Sequence, residues 1–132
     1  MITWDSLANF LIYFGAALLA EAIFIALYMA FTPHHEAKLI KDGNVAASIS
    51  LAGAVIGFTL PLASVIIHSV SLLDMVIWSA VALVVQIAVF VLASLLLRGL
   101  SRRIEAGNVA AGITVAAASF AIGVVNAASM SY

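Results

Sequence analysis

Two stretches of this chain are nearly identical: IKDGNVAASI at residues 40–49 and IEAGNVAAGI at residues 104–113. They begin 64 residues apart in a chain of 132 residues. Self-similarity at a fixed offset indicates a repeated structural unit. We therefore expect two copies of one unit, about residues 1–69 and about residues 70–132, that together form a single transmembrane domain.

The composition excludes a soluble protein. Hydrophobic residues make up 66% of the chain, charged residues 8%, and the mean hydropathy is +1.26, whereas a soluble domain is roughly half apolar and a quarter charged. The absence of cysteine excludes disulfides and thiol chemistry. Five Lys and Arg residues are too few for a nucleic-acid-binding surface. The sequence therefore predicts a membrane protein whose main partner is the lipid bilayer.

A helix that crosses a bilayer needs about 20 apolar residues. The chain has four such runs, at about residues 7–31, 44–69, 74–97 and 108–131. We expect all four to be α-helices, because a backbone in lipid must satisfy its own hydrogen bonds. With two spans in each copy, both copies enter the membrane in the same direction, so the fold is predicted to be all-α with two parallel two-helix repeats.

All the cationic residues lie in the first and third connections: Lys38, Lys41, Arg98, Arg102 and Arg103. Four spans place these two connections on the same side, and the positive-inside rule makes that side cytoplasmic. Both termini should then lie on the outer side of the membrane, periplasmic or extracellular.

Glu21 is the only ionisable residue deep within a predicted span. At 1.5 Å per residue it lies about 20 Å from the outer end of its helix and about 15 Å from the inner end. Since no span contains Lys or Arg, we expect a neutral acid at rest that ionises when a cation or water arrives. The alternative is a permanently protonated carboxyl that serves only as a hydrogen bond between helices.

Gln86 lies 65 residues after Glu21, at a similar depth. Together with Thr59, Ser119 and Asn126 these residues are predicted to form a polar layer that binds a proton or cation. Here too the alternative is hydrogen bonding without a role in transport.

Small and polar residues form a continuous face on the fourth span and a matching face on the second. We assign Asn108, Gly112, Ala116, Ser119, Gly123 and Asn126 to the first of these faces, and Asn44, Ser48, Ala52 and Thr59 to the second, with Gly53 and Gly57 on a neighbouring face. Such faces favour close helix packing. Pro61 removes a backbone donor and should kink the second span against Gly57.

Asn44 and Asn108 follow glycine at the start of the second and fourth spans, where asparagine is a preferred N-cap. A further possibility is an anion-attracting vestibule formed with Lys41, Arg102 and Arg103. Nearby, the segment 34–36 (His-His-Glu) has no spaced partner of the kind that metal sites use, so we expect no metal site and a solvated position at the membrane interface.

The motifs at residues 32–33, 38–47, 57–64 and 126–130 (TP, KLIKDGNVAA, GFTLPLAS and NAASM) resemble the YjfL-like inner-membrane family, domain of unknown function 350. The likeness covers essentially the whole chain. It implies a bacterial multi-pass inner-membrane protein and suggests a link to envelope stress, but it supplies no catalytic residue and no substrate.

The sequence favours a homo-oligomeric channel or transporter subunit, linked to protons or cations, in which Glu21 binds the ion. The alternative is a non-transporting scaffold or envelope-stress protein that recruits a cytoplasmic partner through its cationic loops. We expect no enzyme activity and no cofactor, because no Ser-His pairing or acid pair is evident at one depth.

Overall fold

The computed structural model describes residues 3–130, and this part of the chain contains helices and no strand. The helices are α1 (Trp4–Phe31), α2 (Glu36–Lys41), α3 (Val45–His68), α4 (Leu72–Leu96), α5 (Leu100–Glu105) and α6 (Val109–Ser129). The four long helices are each long and apolar enough to cross a membrane. The all-α fold with four spans is therefore confirmed, and the predicted end of the last span at residue 131 lies outside the described residues.

Each long helix begins at a side chain that accepts a hydrogen bond from its own first turn. Thr3 accepts from Ser6 N, Ser71 accepts from Asp74 N, and Asn44 and Asn108 do the same for α3 and α6. Such caps satisfy main-chain donors that have no partner within the helix.

Left-handed glycines join the short helices to the long ones. Gly43 follows α2 with φ 85°, and Gly107 follows α5 with φ 82°. A residue without Cβ adopts this conformation without strain. The chain therefore turns sharply from each short helix into the following span.

Helices α3 and α6 run parallel, with their backbones in contact. Near their N-termini Gly112 meets Ala46, and near their C-termini Ser64 Oγ donates to Ala127 O at 2.9 Å. Between these points Gly53 lies on Ala116. A Cβ on either glycine would overlap main-chain atoms of the other helix. The small residues therefore set the distance between the two helices.

The predicted small face of α3 is wrong at two positions. Ala52 and Thr59 are exposed, and the stripe through Gly53 and Gly57 packs on α6 instead. The physical reason is that each close contact has a glycine on at least one side, and a residue with a Cβ in place of that glycine would hold the helices apart. On α6 the predicted residues from Gly112 to Gly123 do face α3.

Helix α1 packs against the rest of the bundle through one narrow stripe, which contains Ala17, Phe24 and Tyr28. Phe24 stacks on Phe58 of α3, with ring centroids 4.6 Å apart. Only 6% of the most apolar stretch of α1 is buried inside the protein, whereas the corresponding share is 33–39% in the other spans. The remaining apolar surface of α1 suits contact with lipid.

The two connections that carry the cationic residues, which include α2 and α5, meet at one end of the bundle. Asn44 Nδ2 donates to Ile104 O at 2.9 Å and to Glu105 O at 3.1 Å, which ties the start of α3 to the end of α5. We call this the cationic end, defined by its exposed residues Lys38, Lys41, Arg98, Arg102 and Arg103.

Candidate functional site

Glu21 lies on the packed side of α1 and contacts α3. Thr59 Oγ1 donates to Glu21 Oε2 at 3.1 Å and also contacts Val55 O at 2.8 Å. The other carboxyl oxygen, Oε1, is buried and has no hydrogen-bond partner within residues 3–130. Glu21 therefore has one carboxyl oxygen whose hydrogen-bonding capacity the described residues leave unused.

A second polar group lies between α4 and α6. Gln86 is 2% exposed, and its Nε2 donates to Ser119 O at 3.2 Å. Asn126 Nδ2 donates to Gln86 Oε1 at 3.4 Å and to Ala82 O at 3.4 Å. Ser119 contributes its main-chain carbonyl to this network.

The five predicted site residues thus form two groups on opposite sides of α3. Gly57 packs on Ser119 and Gln86, whereas Thr59, two residues further on, bonds to Glu21. Two residues rotate a helix by about 200°. The structure brings Glu21 to Thr59 and brings Gln86 to Ser119 and Asn126, and Gln86 takes its hydrogen bonds from the second group.

Pro61 leaves the Gly57 carbonyl without its usual donor, because proline has no N–H. Helix α3 continues through Pro61 as one helix. The freed carbonyl oxygen is the nearest atom to the position that a Cβ of Gly123 would occupy, so the backbones of α3 and α6 are in contact there.

A further polar cluster lies at the cationic end, and the expectation of a solvated interface there was wrong for two of the three residues. His34 is 1% exposed and Glu36 is 2% exposed, whereas His35 is exposed. His34 Nε2 lies 2.9 Å from Glu36 Oε1, and His34 Nδ1 lies 3.2 Å from Ser101 Oγ. A Ser-His pairing therefore does exist, contrary to the sequence prediction.

Tyr28 and Ser50 complete this cluster. The hydroxyls of Tyr28 and Ser50 lie 3.2 Å apart in a buried contact, and Phe90 meets both Tyr28 and His34 edge to face. We call Tyr28, His34, Glu36, Ser50 and Ser101 the His34–Glu36 cluster.

The sequence did not reveal this cluster, because its contacts join residues that are far apart in the chain. Ser101 is 67 residues from His34, so local spacing could not join them. Across residues 3–130 no group of three His, Asp or Glu side chains is placed to hold a metal ion.

Comparison with known proteins identifies the family. The family described as Domain of Unknown Function (DUF350) matches residues 1–130. The chain belongs to the DUF350 family. It is 40% identical over 128 residues to the UPF0719 inner membrane protein YjfL of Escherichia coli strain K12 and to the protein of the same name from Escherichia coli O157:H7, and each alignment covers 97% of both chains. No solved structure matches the chain.

Four apolar helices and these relatives make this DUF350 chain a multi-pass inner-membrane protein. The residues predicted to form an anion vestibule lie at its cationic end. Asn44 uses its oxygen to cap α3 and its amide to bind α5, and Asn108 caps α6. Lys41, Arg102 and Arg103 are exposed around them.

Two carboxyl groups of the DUF350 chain share one chemical property. Glu21 and Glu36 each keep one buried oxygen without a partner among the described residues. An unpaired buried ionised oxygen is costly, and a proton, a bound water or a cation would each relieve that cost. Phe24 lies about one turn beyond Glu21 on α1 and stacks on Phe58 of α3. Tyr28 lies one turn further, about 10 Å from Glu21 along the helix axis.

Proposed function

We propose that this DUF350 protein is a subunit of a proton- or cation-linked channel or transporter, and that Glu21 binds the ion. The observation that carries the proposal is the unpartnered Oε1 of Glu21, a carboxyl near the middle of a membrane-spanning helix. Intramembrane acids are costly, and they commonly mark ion pathways and proton relays.

The hydroxyl of Thr59 is compatible with both protonation states of Glu21. It has one hydrogen but two acceptors nearby, and the shorter contact is with Val55 O. When that hydrogen serves Val55, the contact with Glu21 needs a hydrogen from the carboxyl itself. Thr59 can therefore stabilise the protonated acid through Val55, or the ionised acid by turning its hydrogen to Glu21.

We further propose a homo-oligomer, since four helices alone enclose little space for a pathway and closed symmetric assemblies are the usual solution. Catalysis forms no part of the proposal. The cationic end faces the cytoplasm by the positive-inside rule, and both termini face the periplasm.

The orientation has a direct test, because the chain contains no cysteine. The variant Ser71→Cys should react with an impermeant maleimide added to intact spheroplasts, and the variant Asp42→Cys should react only after lysis. Both residues are exposed. The opposite labelling pattern would reverse the proposed orientation.

Flux in liposomes tests the function itself. Protein in vesicles with a pH-sensitive dye, energised by a potassium diffusion potential, should conduct protons or exchange cations above the level of empty vesicles. Glu21→Gln keeps the shape and removes the ionisable group, so we expect it to lose most of the flux. Glu105→Gln is the matched control, because the Glu105 side chain is exposed. Equal flux in wild type and Glu21→Gln would remove Glu21 from the mechanism.

A scaffold that recruits a cytoplasmic partner is the second candidate, and the packing of α3 on α6 favours it. Gly57 and Gly123 bring these two backbones into contact, which leaves no space for an ion between them. Reversing the charge of Lys38 and Arg102, both exposed, should then abolish crosslinking to the partner in cells, while Glu21→Gln should leave it intact.

A further inference from the structure

The His34–Glu36 pair is an unusual group to bury. Its two side chains are 0% exposed, in a chain in which only 8% of residues are charged. His34 bonds to one oxygen of Glu36, and the other oxygen, Oε2, is buried without a partner in the described part of the chain. Burying an acid that is only half paired costs stability. Close packing alone therefore does not explain why residue 36 is an acid.

The second half of the chain shows that an apolar residue can occupy a similar place. At the offset of 64 residues that aligns the two Gly-Asn-Val-Ala-Ala segments, Glu36 corresponds to Leu100. Each of these residues begins a six-residue helix, and each is 2% exposed. The architecture accepts leucine at this position, so the acid at residue 36 has a purpose other than filling space.

A route leads from the cationic end to the pair. A groove of about 390 Å³ is lined in part by polar and charged residues, among them Ser101, Arg102 and Glu105. The hydroxyl of Ser101 lies 3.2 Å from His34 Nδ1, and His34 Nε2 lies 2.9 Å from Glu36. Ser101 is thus the contact between the groove and the buried imidazole.

We propose that Glu36 is a second proton-binding site, separate from Glu21, which exchanges protons with the cationic side through Ser101 and His34. In the loading step water in the groove gives a proton to Ser101, and Ser101 gives its own hydrogen to His34 Nδ1. The Nε2 hydrogen of His34 passes to Glu36 Oε1. The net change is one proton taken from water and one carboxylate converted to the acid, and the reverse step restores the original histidine tautomer.

Few other ionisable side chains lie close to Glu36. Helix α1 presents Tyr28, which interacts electrostatically with Glu36, and the loop presents His34. Helices α3, α4 and α5 contribute Ser50, Phe90 and Ser101 to the cluster. Among residues 3–130, the Glu36 carboxyl contacts no Lys or Arg, and its partner is the His34 imidazole.

The order hydroxyl, imidazole, carboxylate is also that of a hydrolase triad. The unpaired Oε2 of Glu36 favours proton binding, because an acid that only orients a histidine gains from having both oxygens bonded. A nucleophilic Ser101 is nevertheless an outcome that the test must be able to detect.

Infrared difference spectroscopy of the full chain in lipid vesicles, taken between alkaline and acidic pH, tests the proposal without measuring transport. A protonated carboxyl without a hydrogen-bond donor gives a C=O band at high frequency. In the Glu21→Gln variant this band should remain, and in Glu21→Gln/Glu36→Gln it should be lost completely. The control pair Glu21→Gln/Asp5→Asn should keep it, because Asp5 is exposed in the first turn of α1, whereas Glu36 follows the end of that helix.

The route is tested in the same Glu21→Gln background. After a rapid pH jump, Ser101→Ala should reach the same band amplitude severalfold more slowly, because the hydroxyl relay is missing. Absence of the band in Glu21→Gln, or its persistence in the double Glu21/Glu36 variant, would overturn the site. Covalent labelling of Ser101 by a fluorophosphonate probe would overturn the relay by identifying a nucleophile. None of these outcomes depends on whether Glu21 carries flux.

Discussion

Substitution of Gly123 by alanine should break the contact that holds α3 to α6. The new Cβ would overlap the carbonyl oxygen of Gly57 and lie within 3 Å of its Cα and carbonyl carbon. These are main-chain atoms, so no side-chain rotation can relieve the overlap, and the two helices must separate. Overpacking of this kind costs about 1–3 kcal/mol.

Gly15 supplies the matched control, because a Cβ there meets nothing within 4 Å. Gly15→Ala should gain about 0.5–1 kcal/mol through lower backbone entropy in the unfolded chain. Because Gly123 is also in a helix, its substitution has the same gain, so the two Gly→Ala variants should differ by the overpacking cost of about 1–3 kcal/mol in the free energy of unfolding. Unfolding by sodium dodecyl sulfate in mixed micelles, followed by circular dichroism, measures this difference. Equal stability of the two variants would refute backbone contact between α3 and α6.

Three further stability predictions use the same measurement. Gln86→Leu should cost about 1–3 kcal/mol, because it takes the acceptor from Asn126 and leaves buried polar groups unpaired; a neutral result would contradict the network. Asn44→Ala should cost more than Asn108→Ala, since both lose a helix cap worth about 1 kcal/mol but only Asn44 also binds α5; equal losses would argue against that tie. Tyr28→Phe should cost about 1 kcal/mol by removing the partner of a buried serine, and a stabilised variant would count against this hydrogen bond.

The spans could be predicted from the sequence because their determinants are local. The apolar run expected at residues 44–69 corresponds to α3 at Val45–His68, and the run at 74–97 corresponds to α4 at Leu72–Leu96. Apolar length and a capping side chain are both properties of neighbouring residues. Neither depends on which helix packs against which.

The packing face of α3 could not be chosen in the same way. Helix α3 has two stripes of small residues, one through Ala52 and one through Gly53 and Gly57. Which stripe faces α6 depends on how closely the partner backbone approaches. That distance is set by Gly112 and Gly123, which are more than 50 residues away along the chain.

Of the two candidate acids, Glu21 could be identified from the sequence and Glu36 could not, for a related reason. Glu21 is conspicuous because it is a lone acid in an apolar run, and its isolation can be read locally. Glu36 follows directly after two histidines in a polar connection, where solvation is the ordinary expectation for an acid. Its burial depends on α1, α4 and α5 closing over it, and that arrangement is a property of the assembled bundle.

Comparison of the two halves at the offset of 64 residues identifies both acids more clearly than the local sequence pattern does. Glu21 corresponds to Val85, and Glu36 corresponds to Leu100. Where two segments share a motif, a position that is apolar in one and acidic in the other separates what the chemistry requires from what the packing requires, and such positions are the buried Glu36 and Leu100 and the half-buried Glu21 and Val85. The apolar member shows what packing requires, so the acid in the other half is the residue whose presence needs a further cause.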